Sequence, residues 1–316
     1  MPENTDQTRS PGASPLAGAL GRQAEAQIED LRLAKGLGGE TFDRLADRAD
    51  QVLETLAGAG ANPGLLSIVR DRRGVLRSVA RLVASPSAGE IPPSNLEVYA
   101  AVLDVTELSS IVAGMRPNSG GAADRLLRHL AEDDEATARR DRLTLGFAAV
   151  CRRGGLSTRL SPDLGAPVQI EIDRWPIAAA AAVPLSPADL AGAAAEAGGA
   201  LREAGRPGLI VLETGALMPW SALRVADDQT AIAAMHERLD AFMVDIRDTV
   251  AEAAGTDHAF GLVVHATLPA TNVASRRLLF AECLRAVNLC DADDVRIAGF
   301  ESFIAALSKA ERRQAG

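Results

Sequence analysis

The sequence predicts an α/β protein, a central mixed sheet flanked by helices and preceded by an all-helical N-terminal region. Three observations lead there. Up to Arg153 the apolar residues recur at steps of three and four, the period of a helix with one buried face. Past Gly154-Gly155 the period falls to two. From there short apolar runs alternate with longer helical stretches in the order strand, strand, helix, strand, helix, strand. The apolar share is 47% but the aromatic share only 3%, so Ala, Leu and Val must fill the core. Side chains of that size let helices approach closely.

The elements follow in chain order. Residues 1–18 read as a flexible polar tail, 19–135 as a helical region and 136–316 as the α/β domain. Leu20, Ala24, Ile28, Leu31 and Ala34 mark a first helical stripe, stopped by Gly36, Gly38 and Gly39. A second helix is expected over Glu40 to Ala57 and a third over Gly64 to Val83, the latter carrying Arg70, Arg72, Arg73, Arg77 and Arg81. In an acidic chain those arginines are expected to form a solvated face paired with acidic helix neighbours. Further helices are expected over Asn95 to Val112, Asp124 to Ala131 and Glu135 to Arg153. Leu156 to Leu160 and Val168 to Ile172 alternate like half-buried strands. Ser186-Pro187 opens an Ala-rich helix to Ala204, and Leu209 to Leu212 is a buried strand. A helix over about Gln229 to Ala254 precedes the strand Phe260 to Ala266. The run Arg277 to Leu289 fits a strand or a short helix, and Phe300 to Lys309 reads as helical.

Charge and cysteine usage exclude several classes. The net charge is −9 and neither half is basic, which counts against strong non-specific affinity for a polyphosphate backbone. Cys151, Cys283 and Cys290 have neither metal-ligand spacing nor a pairing pattern, as expected in a reducing cytoplasm. Neither a signal segment nor a membrane span is readable, so no membrane partner is expected.

The chemistry-bearing stretch is Ser161 to Pro176, where Asp163, Glu171 and Asp173 flank a short apolar strand. Carboxylates so placed can converge on a divalent cation. They can equally serve structure. Pro162-Asp163 followed by Leu164-Gly165 suits a turn, and Glu171 and Asp173, on one face of a strand, can pair with Arg159 or Arg174. His258 and His265 flank one strand seven residues apart, on opposite faces, which argues against a shared metal.

From Arg139 to Pro269 the helix start at Arg140 to Leu143, the Gly154-Gly155 break, Pro162-Asp163, the strand end Glu171 to Pro176 and the strand Gly208 to Leu212 follow in an order that resembles the PD-(D/E)XK, or restriction-endonuclease-like, family. In that family one strand carries an aspartate and the next an acid, one residue and a lysine, around one or two metal ions. The resemblance implies Mg²⁺ or Mn²⁺ as cofactor, phosphodiester hydrolysis as reaction and DNA as partner. It implies Asp163 and Glu171 as metal ligands, with Asp173 as a third ligand or as the base that orients water. Asp173, however, stands where the family has lysine, and Lys35 and Lys309 are the only lysines in the chain. The helix also offers Thr144, Leu145, Gly146 and Phe147 where related nucleases carry a glutamate. The expectation is therefore a nuclease relative impaired in catalysis. The alternative is a non-catalytic scaffold whose acidic helices bind a protein partner.

Overall fold

The computed structural model describes residues 42–61, 63–84, 93, 95–115, 135–161, 170–172, 177–214, 217–218, 223–272, 274, 277–290, 296, 298 and 300–305. The first expected helix (20–34), the one over 124–131, Asp163, Asp173 and Cys283's side chain all lie outside this description. Within it, four helices come first: α1 (Phe42–Gly58), α2 (Pro63–Ala84), α3 (Asn95–Met115) and α4 (Glu135–Arg153). The rest alternates: β1 (Thr158–Leu160), β2 (Ile170–Ile172), β3 (Ile177–Ala182), α5 (Leu190–Glu203), β4 (Gly208–Leu212), β5 (Leu223–Val225), α6 (Asp228–Ala254), β6 (Ala259–Asn272) and β7 (Arg277–Asn288).

The mixed α/β class is as expected. The sheet has seven strands. β1, β2 and β3 form an antiparallel meander, β4 and β6 continue it in parallel with β3, and β7 closes antiparallel to β6. β5 pairs with the far end of β6, on register with Ala270 to Asn272, beyond the last residue that β4 reaches at Val264. The run 277–288 is thus a strand, held by twelve consecutive pairs to β6.

Period-two alternation sorts the sheet into two faces. Ile170, Ile172, Ile177, Ala179, Leu209, Val211 and Val263 join the core with α1 to α4 and the closing helical segment 300–305. Ala178, Ala180, Ala182, Ile210, Leu212, Leu262 and Val264 face α5 and α6. The molecule is therefore a helix, sheet, helix sandwich, and the N-terminal helices share one continuous core with the sheet.

α1 shows why these helices assemble. Phe42, Leu45, Ala49, Val52 and Leu56 are buried at steps of three and four, while Asp43, Asp47 and Asp50 line the other side. The α2 arginines meet that acidic side: Arg77 bonds Asp43 at 3.2 Å and Asp47 at 2.5 Å, and Arg73 lies 2.5 Å from Asp50. These exposed pairs fix the helix register and contribute only ~0–1 kcal/mol each. The arginine face is thus a salt-bridged surface. At helix crossings, small residues decide the spacing. A Cβ on Gly114 would stand 2.5 Å from the Ala149 Cβ, and one on Gly198 would run into the Ala254 carbonyl.

α4 ends where the sequence says it should. Gly155, at φ +76°, adopts the left-handed conformation, and the N–H groups of Gly155 and Leu156 donate to the carbonyls of Arg152 and Cys151 at 2.9 Å. Cys151 lies fully buried just inside this end, and burial pushes its thiol pKa well above the ordinary value near 9.0. The native state therefore keeps the thiol proton that the unfolded chain loses above about pH 9. Cys151 accordingly contributes stability that is full below that pH and is lost as pH rises further. The fall in Tm between about pH 8 and 10.5 should be shallower in Cys151→Ala than in the wild type. Parallel curves would remove Cys151 as the source.

Candidate functional site

Glu171 is the motif acid that the described residues include, and the sheet register explains its surroundings. It sits at the centre of β2, half-buried, with Ile170 and Ile172 turned to the opposite face. The row through it reads Arg159 on β1, Glu171, Ala178 on β3 and Gly208 at the start of β4. Two strand spacings, about 10 Å, separate Glu171 from Gly208. The residue between them is a fully buried alanine, so only one methyl group stands in the way.

Arg206 crosses that gap. α5 ends in a left-handed Gly205 at φ +62°, with the N–H of Gly205 donating to Arg202 O at 3.0 Å and that of Arg206 to Leu201 O at 3.2 Å. This double hydrogen bond pins the Arg206 backbone between the helix end and β4. Its Nη1 donates to Glu171 Oε1 in a short contact. Arg159 Nη1 lies 3.7 Å from Oε2, so each carboxylate oxygen faces a guanidinium. Side-chain exposure is 69% for Arg159, against 34% for Arg206 and 32% for Glu171. The Arg206 pair is consequently the stronger of the two, being less screened by water.

The metal that the family resemblance implies does not fit Glu171 as it stands. A divalent cation needs oxygen lone pairs pointing inward from several ligands, and both Glu171 oxygens are directed at cationic groups. Among the described residues, no group of three or more His, Cys, Asp or Glu side chains could hold a metal ion. Of the structural pairings open to Glu171 in the sequence, the one with Arg159 is present. Arg206 was missed. The available signal was its place two residues ahead of β4, directly after a glycine stop.

A second polar cluster sits at the carboxyl ends of β3 and β4. Arg139 from the first turns of α4 makes a short ion pair with Glu213, just past β4, and reaches Pro184 O at 3.5 Å. Arg140 bonds Glu196 on α5 at 2.7 Å. Thr214 is buried beside Glu213, and its carbonyl accepts from the N–H groups of Leu217 and Met218 at 2.9 Å. These contacts tie α4 to both ends of the β3-α5-β4 crossover and leave its charges compensated. A separate groove of about 380 Å³ opens between α1 and α3, lined by Arg48, Gln51, Thr106, Ser109, Ser110 and Arg153 among others. Its lining among the described residues has no carboxylate, and Arg153 there donates to the Ser110 hydroxyl.

No helix among the described residues is long and apolar enough to cross a membrane. Comparison of the chain with protein-family models, with curated proteins and with solved structures gave no match.

Proposed function

We propose that the chain is a restriction-endonuclease-like protein, descended from metal-dependent DNA phosphodiesterases and impaired in catalysis. What supports descent is the succession of parts: a helix beginning at Glu135, a glycine break, a meander whose second strand bears the motif acid, a crossover helix and a buried parallel strand. What supports impairment is, above all, the engagement of Glu171 by Arg206 and Arg159. A carboxylate compensated in this way is a poor metal ligand. The lysine-free stretch from residue 36 to 308 adds that no ammonium group elsewhere in the core can orient the attacking water.

The test is a cleavage assay on supercoiled and single-stranded DNA with Mg²⁺ and with Mn²⁺, comparing the wild type with Glu171→Ala. The expected result is no difference between the two proteins. Metal-dependent cleavage by the wild type that falls by about 10²-fold or more in Glu171→Ala would overturn the reading.

A further inference from the structure

Resting on that reading, we propose that Arg206 is a resident counter-cation, whose guanidinium takes the place at Glu171 that a divalent ion would need. The site is then folded and charge-balanced with no metal bound. Three features of the fold carry this. The helix end at Gly205 fixes the Arg206 backbone through two hydrogen bonds, so the side chain starts from a set position. The register row puts Ala178 between Glu171 and Gly208, two residues past Arg206. The carboxylate is engaged on both oxygens, by Arg206 at Oε1 and by Arg159 at Oε2.

Competition between the two cations favours the tethered one. A guanidinium built into the chain acts at an effective concentration in the millimolar range or above, and a rigid backbone raises it further. A site with few carboxylates binds divalent ions only at about 10⁻⁴–10⁻³ M. The ion would have to displace Arg206 and leave a half-buried guanidinium without its partner. Removing the guanidinium would leave Glu171 half-buried with the more exposed Arg159 as its one described counter-cation.

The experiment is a Mn²⁺ titration of the full chain followed by thermal unfolding and, in parallel, by the electron paramagnetic resonance signal of free Mn²⁺. Wild type, Glu171→Gln, Arg206→Lys, Arg206→Met and the Arg206→Met/Glu171→Gln double variant are compared. The expected pattern is a flat response from wild type and Arg206→Lys. Arg206→Met should lose about 2 °C of Tm without metal, and Glu171→Gln in the same chain should recover most of it, because no half-buried charge is then left without its partner. Additive losses in Arg206→Met and Glu171→Gln overturn the proposal. So does Mn²⁺ uptake by the wild type that Glu171→Gln abolishes, an outcome that does not depend on Arg206→Met folding. Neither result is the cleavage result: a wild type without nuclease activity together with additive losses would remove the counter-cation while leaving impaired catalysis in place.

Discussion

Truncating Phe147 to alanine will lower the free energy of unfolding by about 3–5 kcal/mol. Phe147 is fully buried on α4, with its ring centroid 6.3 Å from that of Phe303 in the closing segment, at an interplanar angle of 57°. It stands in the core that runs from the N-terminal helices into the sheet. The chain holds only seven phenylalanines, one tyrosine and two tryptophans, so few neighbours are large enough to collapse into the vacated space. Urea unfolding should show a reduced midpoint with an unchanged slope. A loss below about 1 kcal/mol would mean that the closing segment does not pack on α4 as described.

Removing the Asp104 carboxylate is the second large perturbation, expected to cost about 2–4 kcal/mol. Asp104 on α3 joins two other helices. Its Oδ2 accepts from Arg72 Nε of α2 at 2.6 Å and its Oδ1 from Arg142 Nη2 of α4 at 2.7 Å, while Glu107 takes Arg142 at 2.6 Å. The Asp104 side chain is 17% exposed and that of Arg142 28%. Burial works against the Arg142 charge, yet Glu107 and Asp104 more than offset it and hold its pKa above the ordinary arginine value. Asp104→Ala would leave Arg142 with Glu107 and take from Arg72 the carboxylate that it bonds. Adding Arg72→Met to Asp104→Ala should recover part of the loss, and chemical unfolding of the four proteins of this cycle measures the coupling. Strict additivity would show that Asp104 and Arg72 do not stabilise one another in the fold.

The long helices were legible because their apolar stripes and glycine stops agree. α4 begins and ends where the pattern places it, and α1 to α3 differ by no more than three residues at either end. β3 was not legible. Its sequence is Ile177 followed by five alanines, the strongest helix former, and nothing local marks a strand. It is a strand because both its faces are covered, by α4 on one side and α5 on the other, and small side chains allow that approach. β5, three residues long, carried no pattern either. β6 runs to Asn272, six residues past its expected end, and passes through Pro269. That proline falls between the last pair with β4 and the first with β5, an interval where this edge of β6 has no partner among the described residues.

The site was legible only in part. Glu171 and its cross-strand neighbour Arg159 could be named from alternation alone, since residues opposite one another on adjacent strands share a face. Arg206 could not, because its nearness to Glu171 depends on a parallel crossover that sets β4 beside β3. Glu213 and Arg139 depend on the same crossover and on the direction of α4. Charges far apart in sequence are brought together by the sheet order, and period counting within one segment holds no information about that order.

β6 also carries an irregularity with a meaning for phase. Between its first two pairs with β4 the register slips by one, from Gly208 opposite Ala259 to Leu209 opposite Gly261, so Phe260 is an extra residue. Phe260 and Gly261 consequently share a side of the sheet, where a Cβ on Gly261 would stand 2.6 Å from the Phe300 ring and 2.7 Å from Leu209. Parity counted onward from Phe260 would send Leu262 and Val264 to the α4 layer and Val263 to the α6 layer, the reverse of their actual positions. Parity counted backward from Ala266, which lies in the α6 layer, assigns all three correctly. The strand is thus two reading frames joined at one aromatic residue, and its alternation keeps its meaning only within each frame.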